Sequence, residues 1–256
     1  MSVRRSSTWI RSVLFSVAVV AVLAPLAAGQ RLLLPRPFPV AELFLELNNT
    51  DGDLGMHSNL DGGGWTQLEV EGPSGRPLLG IVTTGPLRRQ ALTQLSFEST
   101  EPPFDELDPD VFFRRFPEGT HEISARAQDQ EYESRVYLSH VLAAPAEATV
   151  PGQPAAESCT SEPLPEVSGP VLIDWQPVTA SHPELGRPGQ VTISRYQLFV
   201  QQDDTKLSLD LRPDVTEFEI PASLTVAGGV FKFEIIARTT TGNNTAIESC
   251  FRVPKR

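Results

Sequence analysis

Carboxylate and amide side chains gather beside glycines in residues 48–55 (NNTDGDLG), and Asp61 with Gly62 follows a few positions later. Calcium takes six to eight oxygen ligands, and sharp turns bring such oxygens together. The spacing raises the hypothesis of a calcium site formed by Asp51, Asp53 and Asp61. If that site exists, excess calcium should raise the melting temperature of this half of the chain, compared with chelator.

The same stretch departs from the EF-hand pattern of a calcium loop. When the loop is counted from Asn49, Leu54 occupies the position that requires glycine, and Leu60 occupies the position of the bidentate glutamate. The favoured interpretation is a tight turn whose Asn and Asp side chains bond their own backbone. Two segments also fit the acceptor pattern for asparagine glycosylation, residues 48–50 and 243–245.

No serine of the sequence lies in the glycine-flanked elbow that positions a hydrolase nucleophile. The histidines stand singly, without a two-histidine metal spacing, and surface or hairpin roles are expected for them: His57, His121, His140 and His182. Trp65 follows three glycines and could stack on a sugar ring, but the alternation behind it favours a core anchor at the start of a strand. The sequence predicts no enzyme, no catalytic residue and no cofactor apart from the hypothetical calcium.

Residues 230–241 (VFKFEIIARTTT) show the pattern of a central strand in a β-sandwich. Apolar side chains recur at every second position, at Phe231, Phe233, Ile235 and Ala237. The intervening positions place Lys232, Glu234 and Arg238 on the opposite side, with Ile236 as an exception. Residues 171–175 and 195–200 repeat this two-residue period, and each carries a large aromatic side chain that could fill the space between two sheets.

These strands resemble a fibronectin type III domain over roughly residues 146–254. The resemblance rests on Trp175, Tyr196, Leu198, Leu209, Leu211, the alternation from Phe231 to Ala237, and Thr241 with Gly242. Phe231 and Thr239 depart from the family, which commonly has tyrosine and asparagine there. The resemblance implies a seven-stranded sandwich that serves as a spacer or ligand-binding module. Residues 120–142 similarly, but more weakly, resemble the closing hairpin of a bacterial immunoglobulin-like domain.

The cysteines of the chain, Cys159 and Cys250, both lie in the fibronectin-like half. In a fibronectin-like topology, the turn into the second strand and the end of the last strand share one end of the sandwich. The resemblance therefore implies that a disulfide between them is geometrically reasonable, and export into an oxidising compartment would allow it. Two free thiols are the competing interpretation.

The first half of the chain carries its own strand and turn signals. Predicted strands cover residues 41–47, 65–70, 78–82 and 91–97, and residues 120–127 and 132–141 form a predicted hairpin. Between strand 91–97 and this hairpin, Asp108 and Pro109 are typical of a helix start, and Pro117 ends the short helix. The fold class predicted is all-β, with two tandem antiparallel sandwiches, immunoglobulin-like and then fibronectin-like, and a short helix inserted in the first.

Residues 1–29 have the organisation of a secretory signal peptide, with arginines, an apolar run and small residues before Gln30. A membrane anchor is the competing interpretation, but the apolar run of about 14 residues is shorter than the roughly 20 that span a bilayer. We expect secretion or periplasmic export, without membrane insertion after cleavage. The predicted organisation continues with a Pro-rich tether (30–39), an immunoglobulin-like domain (40–143) and a fibronectin-like domain (144–256).

The chain is strongly acidic, with a formal charge of −11. Cleavage after residue 29 would remove three arginines and no acidic residue, and the formal charge would become −14. Such a surface repels phosphate backbones and anionic lipid head groups, so nucleic acid is not expected as a partner.

Two functions of different classes fit these observations. The first is an exported, non-enzymatic binding or scaffolding protein of the cell envelope or exterior, whose sandwich loops or edges engage a protein or a glycan. The second is a secreted hydrolase, or a carbohydrate-binding hydrolase accessory, with a site in the first domain around Asp51, Asp53, Asp61 and His57. A cleft that holds a carboxylate within hydrogen-bond reach of His57 would favour the second function.

Overall fold

Strands separated by short turns dominate the structure, a computed structural model that describes residues 34–127 and 130–255. The predicted signal peptide, residues 1–29, lies outside the described residues. The described residues belong to one compact unit. Among the described residues, no helix is both long and apolar enough to cross a membrane.

The first half of the described chain contains strands β1 (Val40–Asn48), β2 (Asp53–Trp65), β3 (Gln67–Glu71), β4 (Pro77–Val82), β5 (Leu92–Glu98), β6 (Gly119–Arg126) and β7 (Glu131–Leu138). The second half contains β8 (Ala148–Val150), β9 (Gln153–Pro154), β10 (Val171–Trp175), β11 (Ile193–Gln202), β12 (Thr205–Leu211), β13 (Glu217–Ile220), β14 (Gly229–Thr239) and β15 (Asn244–Val253). Three short helices accompany the described strands: α1 (Gly85–Gln90), α2 (Pro109–Arg115) and α3 (Ala222–Thr225).

The described strands form one large sheet and two small ones. The large sheet has seven strands in the order β12-β11-β14-β15-β1-β2-β5. The small sheets have four strands each, in the orders β13-β10-β8-β9 and β4-β3-β6-β7. Neighbouring strands are antiparallel in all three sheets, except that β1 and β15 pair in parallel. The predicted fold class, an all-β protein built from sandwiches, is confirmed.

The alternation of β14 predicts its packing correctly. Phe231, Phe233, Ile235 and Ala237 are each at most 1% exposed. The rings of Trp175 and Tyr196 approach to 5.3 Å between centroids, and both belong to the same hydrophobic core as Phe233. The Tyr196 hydroxyl accepts a hydrogen bond from the Val178 amide at 2.9 Å. Large aromatic side chains therefore fill the space between the two sheets of this half, as predicted.

A second core lies under the other half of the large sheet. It contains Leu43, Leu45 and Leu47 of β1, packed against β3 and β6. Trp65 belongs to this core and is 0% exposed. Its predicted burial in the core is confirmed, because a ring without exposed surface is closed to a sugar. The predicted position at the start of a strand is wrong, since Trp65 is the last residue of β2.

Both small sheets cover the same face of the large sheet. The cross-strand partners Tyr196, Ala237, Thr245 and Leu47 lie in one row across β11, β14, β15 and β1. Cross-strand partners point to the same face of a sheet. Since Tyr196 belongs to one core and Leu47 to the other, the two cores lie side by side under one continuous sheet.

Helix α2 was predicted correctly, whereas helix α1 and strand β2 were not predicted. Helix α2 forms as predicted, with the Asp108 side chain accepting a hydrogen bond from the Asp110 amide at 2.8 Å. Helix α1 occupies Gly85–Gln90, between the predicted strands 78–82 and 91–97, where no helix was predicted. It forms there because proline is well suited to a first helical turn. Strand β2 occupies Asp53–Trp65, whose first residues were assigned to a tight turn and whose middle was not assigned to any strand, and its pairing with β5 shifts between Asp61 and Trp65.

Residues predicted as tether and linker are partly packed against the sheets. The Arg36 amide donates to the Glu131 carbonyl and the Glu133 amide donates to the Arg36 carbonyl, each at 2.9 Å. Near the predicted domain boundary, Leu142 and Ala143 are each 0% exposed. The domain limits 40–143 and 144–256 stay a prediction, while the large sheet runs continuously across them.

Candidate functional site

The face of the large sheet that turns away from the two cores carries a group of ionisable side chains. We call it the outer face. On β2, Asp53, Gly55 and His57 are spaced two residues apart and therefore point to this same face. Glu46 of β1 lies opposite Gly55, and Glu98 of β5 lies opposite His57.

Glu101 completes this group, because its side chain lies directly over Gly55. A Cβ atom added to Gly55 would lie 2.6 Å from Glu101 Cδ and would overlap the carboxylate. Glycine at this position therefore leaves the space that Glu101 occupies. We call Glu46, Asp53, His57, Glu98 and Glu101 the Gly55 cluster.

A hydrogen bond joins two members of the cluster, His57 Nε2 and Glu101 Oε1, at 2.8 Å. Burial alone would lower the pKa of His57, but the bond to Glu101 and the charges of Glu46 and Glu98 raise it above its ordinary value. The His57 ring also stacks on Phe44, with 5.3 Å between centroids. Histidine is therefore held in a fixed position among carboxylates that favour its protonated form.

Asp53 is the carboxylate of the cluster with a buried oxygen atom that lacks a partner in the described part of the chain. Its Oδ1 atom is buried and has no hydrogen-bond partner among the described residues. Burial, followed by the charges of Glu101, Asp51 and Glu248, raises the pKa of Asp53 to about 6. Binding of a proton or a cation would neutralise this buried negative charge.

Three members of the cluster could share a metal ion. Ligand atoms of His57, Glu98 and Glu101 all lie within 4.8 Å of one another, the one such group found in the described part of the chain. These residues come from β2, from β5 and from the segment after β5.

The predicted calcium residues lie at different positions along one hairpin. Asp51 is in the β1–β2 turn, where the Asn48 side chain accepts hydrogen bonds from the amides of Thr50 and Asp51 at 3.1 and 3.2 Å. The predicted self-bonding turn is thereby confirmed. Asp61 lies eight residues after Asp53 on β2, about 26 Å away at strand spacing. The structure therefore separates Asp61 from the other two, and calcium binding by Asp51 and Asp53 stays a prediction.

The partner of His57 was missed from the sequence. Glu101 is 44 residues from His57, and Glu46 and Glu98 come from two other strands. The local signal is the alternation Asp53-x-Gly55-x-His57, which is visible once β2 is read as a strand. A carboxylate therefore lies within hydrogen-bond reach of His57, as the hydrolase hypothesis requires. The pair lies on the face of a sheet, however, and not in the cleft that the hypothesis also requires.

Two of the histidines for which surface or hairpin roles were expected are buried, and one of them, His121, lies in the β6–β7 hairpin. His121 is 0% and His182 is 9% exposed, and burial lowers the pKa of each imidazole. His182 Nδ1 accepts from the Leu185 amide at 2.9 Å, so Nε2 carries the hydrogen that is donated to Asn49 Oδ1 at 2.9 Å. These neutral rings serve packing and hydrogen bonding.

Arg238 lies on the side of β14 opposite the apolar residues, as predicted, and is 5% exposed. Its guanidinium lies 3.0 Å from a Glu42 carboxylate oxygen and 4.4 Å from the centre of the Phe44 ring. It also donates to Asn244 Oδ1 at 3.2 Å. The sequence placed Arg238 on the correct face of β14, but the neighbouring strands β15 and β1 supply the side chains that cover it.

A disulfide joins Cys159 to Cys250, as predicted. Cys250 lies in β15 and is 3% exposed. The bond closes a separation of 91 residues and anchors the segment before β10 to the last strand.

Comparisons with known proteins identify no family. No protein-family model matches the chain, and no curated protein matches it. Similar solved structures include one from a 1.5-MDa bacterial ice-binding adhesin, with 11% identity over 87% of this chain and 67% of that chain, and a TM-score of 0.25. A tetra-tandem repeat from the extending region of a large adhesion protein has 11% identity over 84% and 50%, with a TM-score of 0.25. The tandem immunoglobulin domains of titin have 10% identity over 84% and 94%, with a TM-score of 0.23. Similarities at these identities and TM-scores do not assign a family or a function to this protein.

Glu234 on the outer face makes the stability of the protein depend on pH. Burial, followed by the charges of Glu248 and Glu46, raises the pKa of Glu234 from 4.5 to about 7. Between these values the folded state holds a proton that the unfolded state releases, so stability falls as pH rises through this window. We expect Glu234→Gln to be more stable than the wild type by about 1–3 kcal/mol at pH 8, and nearly equal to it below pH 4.5.

Urea unfolding of both proteins at the two pH values measures this difference. The matched control is Glu219→Gln on β13, where the side chain is exposed. Destabilisation by Glu234→Gln at pH 8, or an equal gain from the control, would contradict the assignment.

Proposed function

We propose that this chain is an exported, non-enzymatic scaffolding or binding protein whose two sandwiches form one rigid element. The observation that carries this proposal is the parallel pairing of β1 with β15, which makes the large sheet continuous. Tandem domains joined by a linker move relative to each other unless they share a large interface. Here backbone hydrogen bonds between β1 and β15 join the two sandwiches directly. The loops and edges at both ends therefore keep a fixed geometry toward a protein or glycan partner.

Buried polar contacts support the same proposal. We call the contacts between residues 34–143 and 144–255 the seam. At the seam, Thr245 Oγ1 donates to the Ala143 carbonyl at 3.0 Å, and Asn243 Nδ2 donates to the Val141 carbonyl at 3.0 Å. Hydrogen bonds of this kind fix one orientation of the two halves, because any other orientation leaves buried polar groups unpaired.

The proposal also includes export of the chain and a fibronectin type III fold for its second half. The disulfide supports an oxidising compartment such as the periplasm or the cell exterior. The strand orders β13-β10-β8 and β12-β11-β14-β15 support a sandwich of the immunoglobulin or fibronectin kind.

Hydrogen exchange, read strand by strand, tests the rigid element. Amides of β1 and β15 at the seam should exchange as slowly as those of the central strand β14, because opening the seam would require global unfolding. Seam amides that exchange orders of magnitude faster than β14 amides would refute a rigid element. Binding is then tested with residues 30–256 as bait, by affinity capture from the secreted or periplasmic fraction and by incubation with a glycan array.

A second candidate function is hydrolysis, and the His57–Glu101 hydrogen bond is the observation that favours it. A histidine held by a carboxylate can act as a general base. Assays with generic ester, glycoside and phosphoester substrates distinguish the two functions. Turnover that is lost in His57→Ala would establish hydrolysis, whereas partner retention without turnover supports scaffolding.

A further inference from the structure

We propose that His57, Glu98 and Glu101 bind a divalent transition-metal ion of the Zn²⁺ type on the outer face of the large sheet. This site differs from the hypothetical calcium turn at Asp51, Asp53 and Asp61. It also stands independently of the scaffolding function, because metal binding is measured without any partner.

The donor atoms select the class of metal. An imidazole nitrogen with two carboxylate oxygens is a ligand set that zinc accepts, and three protein ligands leave a position for water. Calcium and magnesium prefer oxygen ligands alone, so His57 argues against them.

The geometry is close to that of a formed site. Ligand atoms around a tetrahedral zinc ion lie about 3.4 Å apart, given metal–ligand distances near 2.1 Å. His57 Nε2 and Glu101 Oε1 are already 2.8 Å apart, and the ligand atoms of all three residues lie within 4.8 Å of one another. Glu98 is exposed, so rotation about its side-chain bonds can supply the remaining closure.

The sheet holds two of these ligands in fixed register. His57 and Glu98 are cross-strand partners of β2 and β5, so their side chains leave the same face at neighbouring positions. Gly55 keeps the adjacent space open for Glu101, which reaches over it to His57.

A second observation points to a cation at this place. Asp53, two residues before Gly55 on the same face, has a buried Oδ1 atom without a hydrogen-bond partner among the described residues. Within residues 34–127 and 130–255, no Lys or Arg nitrogen lies within 4.0 Å of the carboxylates of Glu46, Asp53, Glu98 or Glu101. Four carboxylates with one histidine are therefore short of positive charge, and a divalent cation would provide it.

Binding replaces a proton by the metal ion. The hydrogen between His57 Nε2 and Glu101 Oε1 must leave when both atoms turn their lone pairs toward the ion. The released proton passes to the solvent, and no other reactant is needed.

Calorimetric titration of the EDTA-treated chain with ZnCl₂ tests the proposal. We expect saturable binding at one site per chain and a higher melting temperature with zinc than with EDTA. His57→Ala and Glu98→Gln should each lower the zinc affinity at least tenfold, since even residues that only support a metal ligand are worth 10–100-fold.

Two controls separate loss of the site from loss of the fold. Circular dichroism melts in EDTA show whether each variant is folded, and Glu98→Gln keeps the shape of an exposed side chain if His57→Ala proves unstable. Glu219→Gln, on a different sheet, should retain the wild-type zinc affinity.

Three outcomes would overturn the proposal. They are the absence of saturable zinc binding, full retention of zinc affinity in Glu98→Gln, and calcium binding that exceeds zinc binding and is lost in Asp51→Asn but kept in Glu98→Gln. The last outcome would place the cation in the β1–β2 turn instead.

Discussion

Replacing Asn243 with alanine is expected to lower the free energy of unfolding by at least about 3 kcal/mol, because three buried backbone groups would lose their partners at about 1–3 kcal/mol each. Asn243 is 0% exposed. Its Oδ1 accepts a hydrogen bond from the Leu45 amide at 2.9 Å. Its Nδ2 donates to the carbonyls of Ser139 and Val141 at 2.8 and 3.0 Å. All three partners lie on the other side of the seam.

Urea unfolding followed by tryptophan fluorescence measures this loss. Asn59→Ala is the matched control, because its side chain bonds only to other side chains, those of Glu42 and Ser96, on the outer face. We expect the control to cost less than about 1 kcal/mol. A similarly small loss for Asn243→Ala would mean that the seam does not depend on this side chain.

Removal of the disulfide has the second large expected effect. In the chain-entropy model, releasing a loop of this length lowers the free energy of unfolding by roughly 4–5 kcal/mol. The double variant Cys159→Ala and Cys250→Ala should therefore unfold at a much lower urea concentration than the wild type, because its unfolded chain is less restricted.

Reduction of the wild-type protein provides an independent measurement of the same quantity. Its free energy of unfolding under dithiothreitol should match that of the double variant within about 1 kcal/mol, because the two unfolded chains are equally unrestricted. Ser158→Ala, beside Cys159, serves as the local control and should change little. A loss below about 1 kcal/mol in both experiments would contradict the entropic account.

Most strands of this protein follow from local pattern. The alternation of Phe231, Phe233 and Ile235 predicts both the existence of β14 and the face that it buries. β2 was missed because Asp, Asn and Gly near both of its ends are turn signals, although Leu54, Met56 and Leu60 alternate inside it and are each at most 2% exposed.

The candidate site could be predicted only in part. His57 and the carboxylates near it were visible, but the hypothesis joined Asp53 to Asp61 because they are near in sequence. In the strand, that spacing separates them by about 26 Å, whereas Glu101 reaches His57 through the pairing of β2 with β5. Ligand sets built across strands leave no contiguous motif, so they depend on a register that the sequence does not show directly.

Asn243 illustrates the same limit. Its sequence context fits a glycosylation acceptor, which predicts an exposed loop. The structure buries it at the seam, where it bonds to residues about 100 or more positions away.

Local patterns in the sequence specify the all-β class, the inward face of β14 and the core roles of Trp65 and Trp175. Long-range packing, in contrast, places β1 beside β15, extends one sheet across both halves, and assembles the Gly55 cluster on its outer face. The physical reason is that side-chain alternation specifies which face of a strand is buried. The choice of a neighbour depends on backbone N–H and C=O groups, which are the same in every strand.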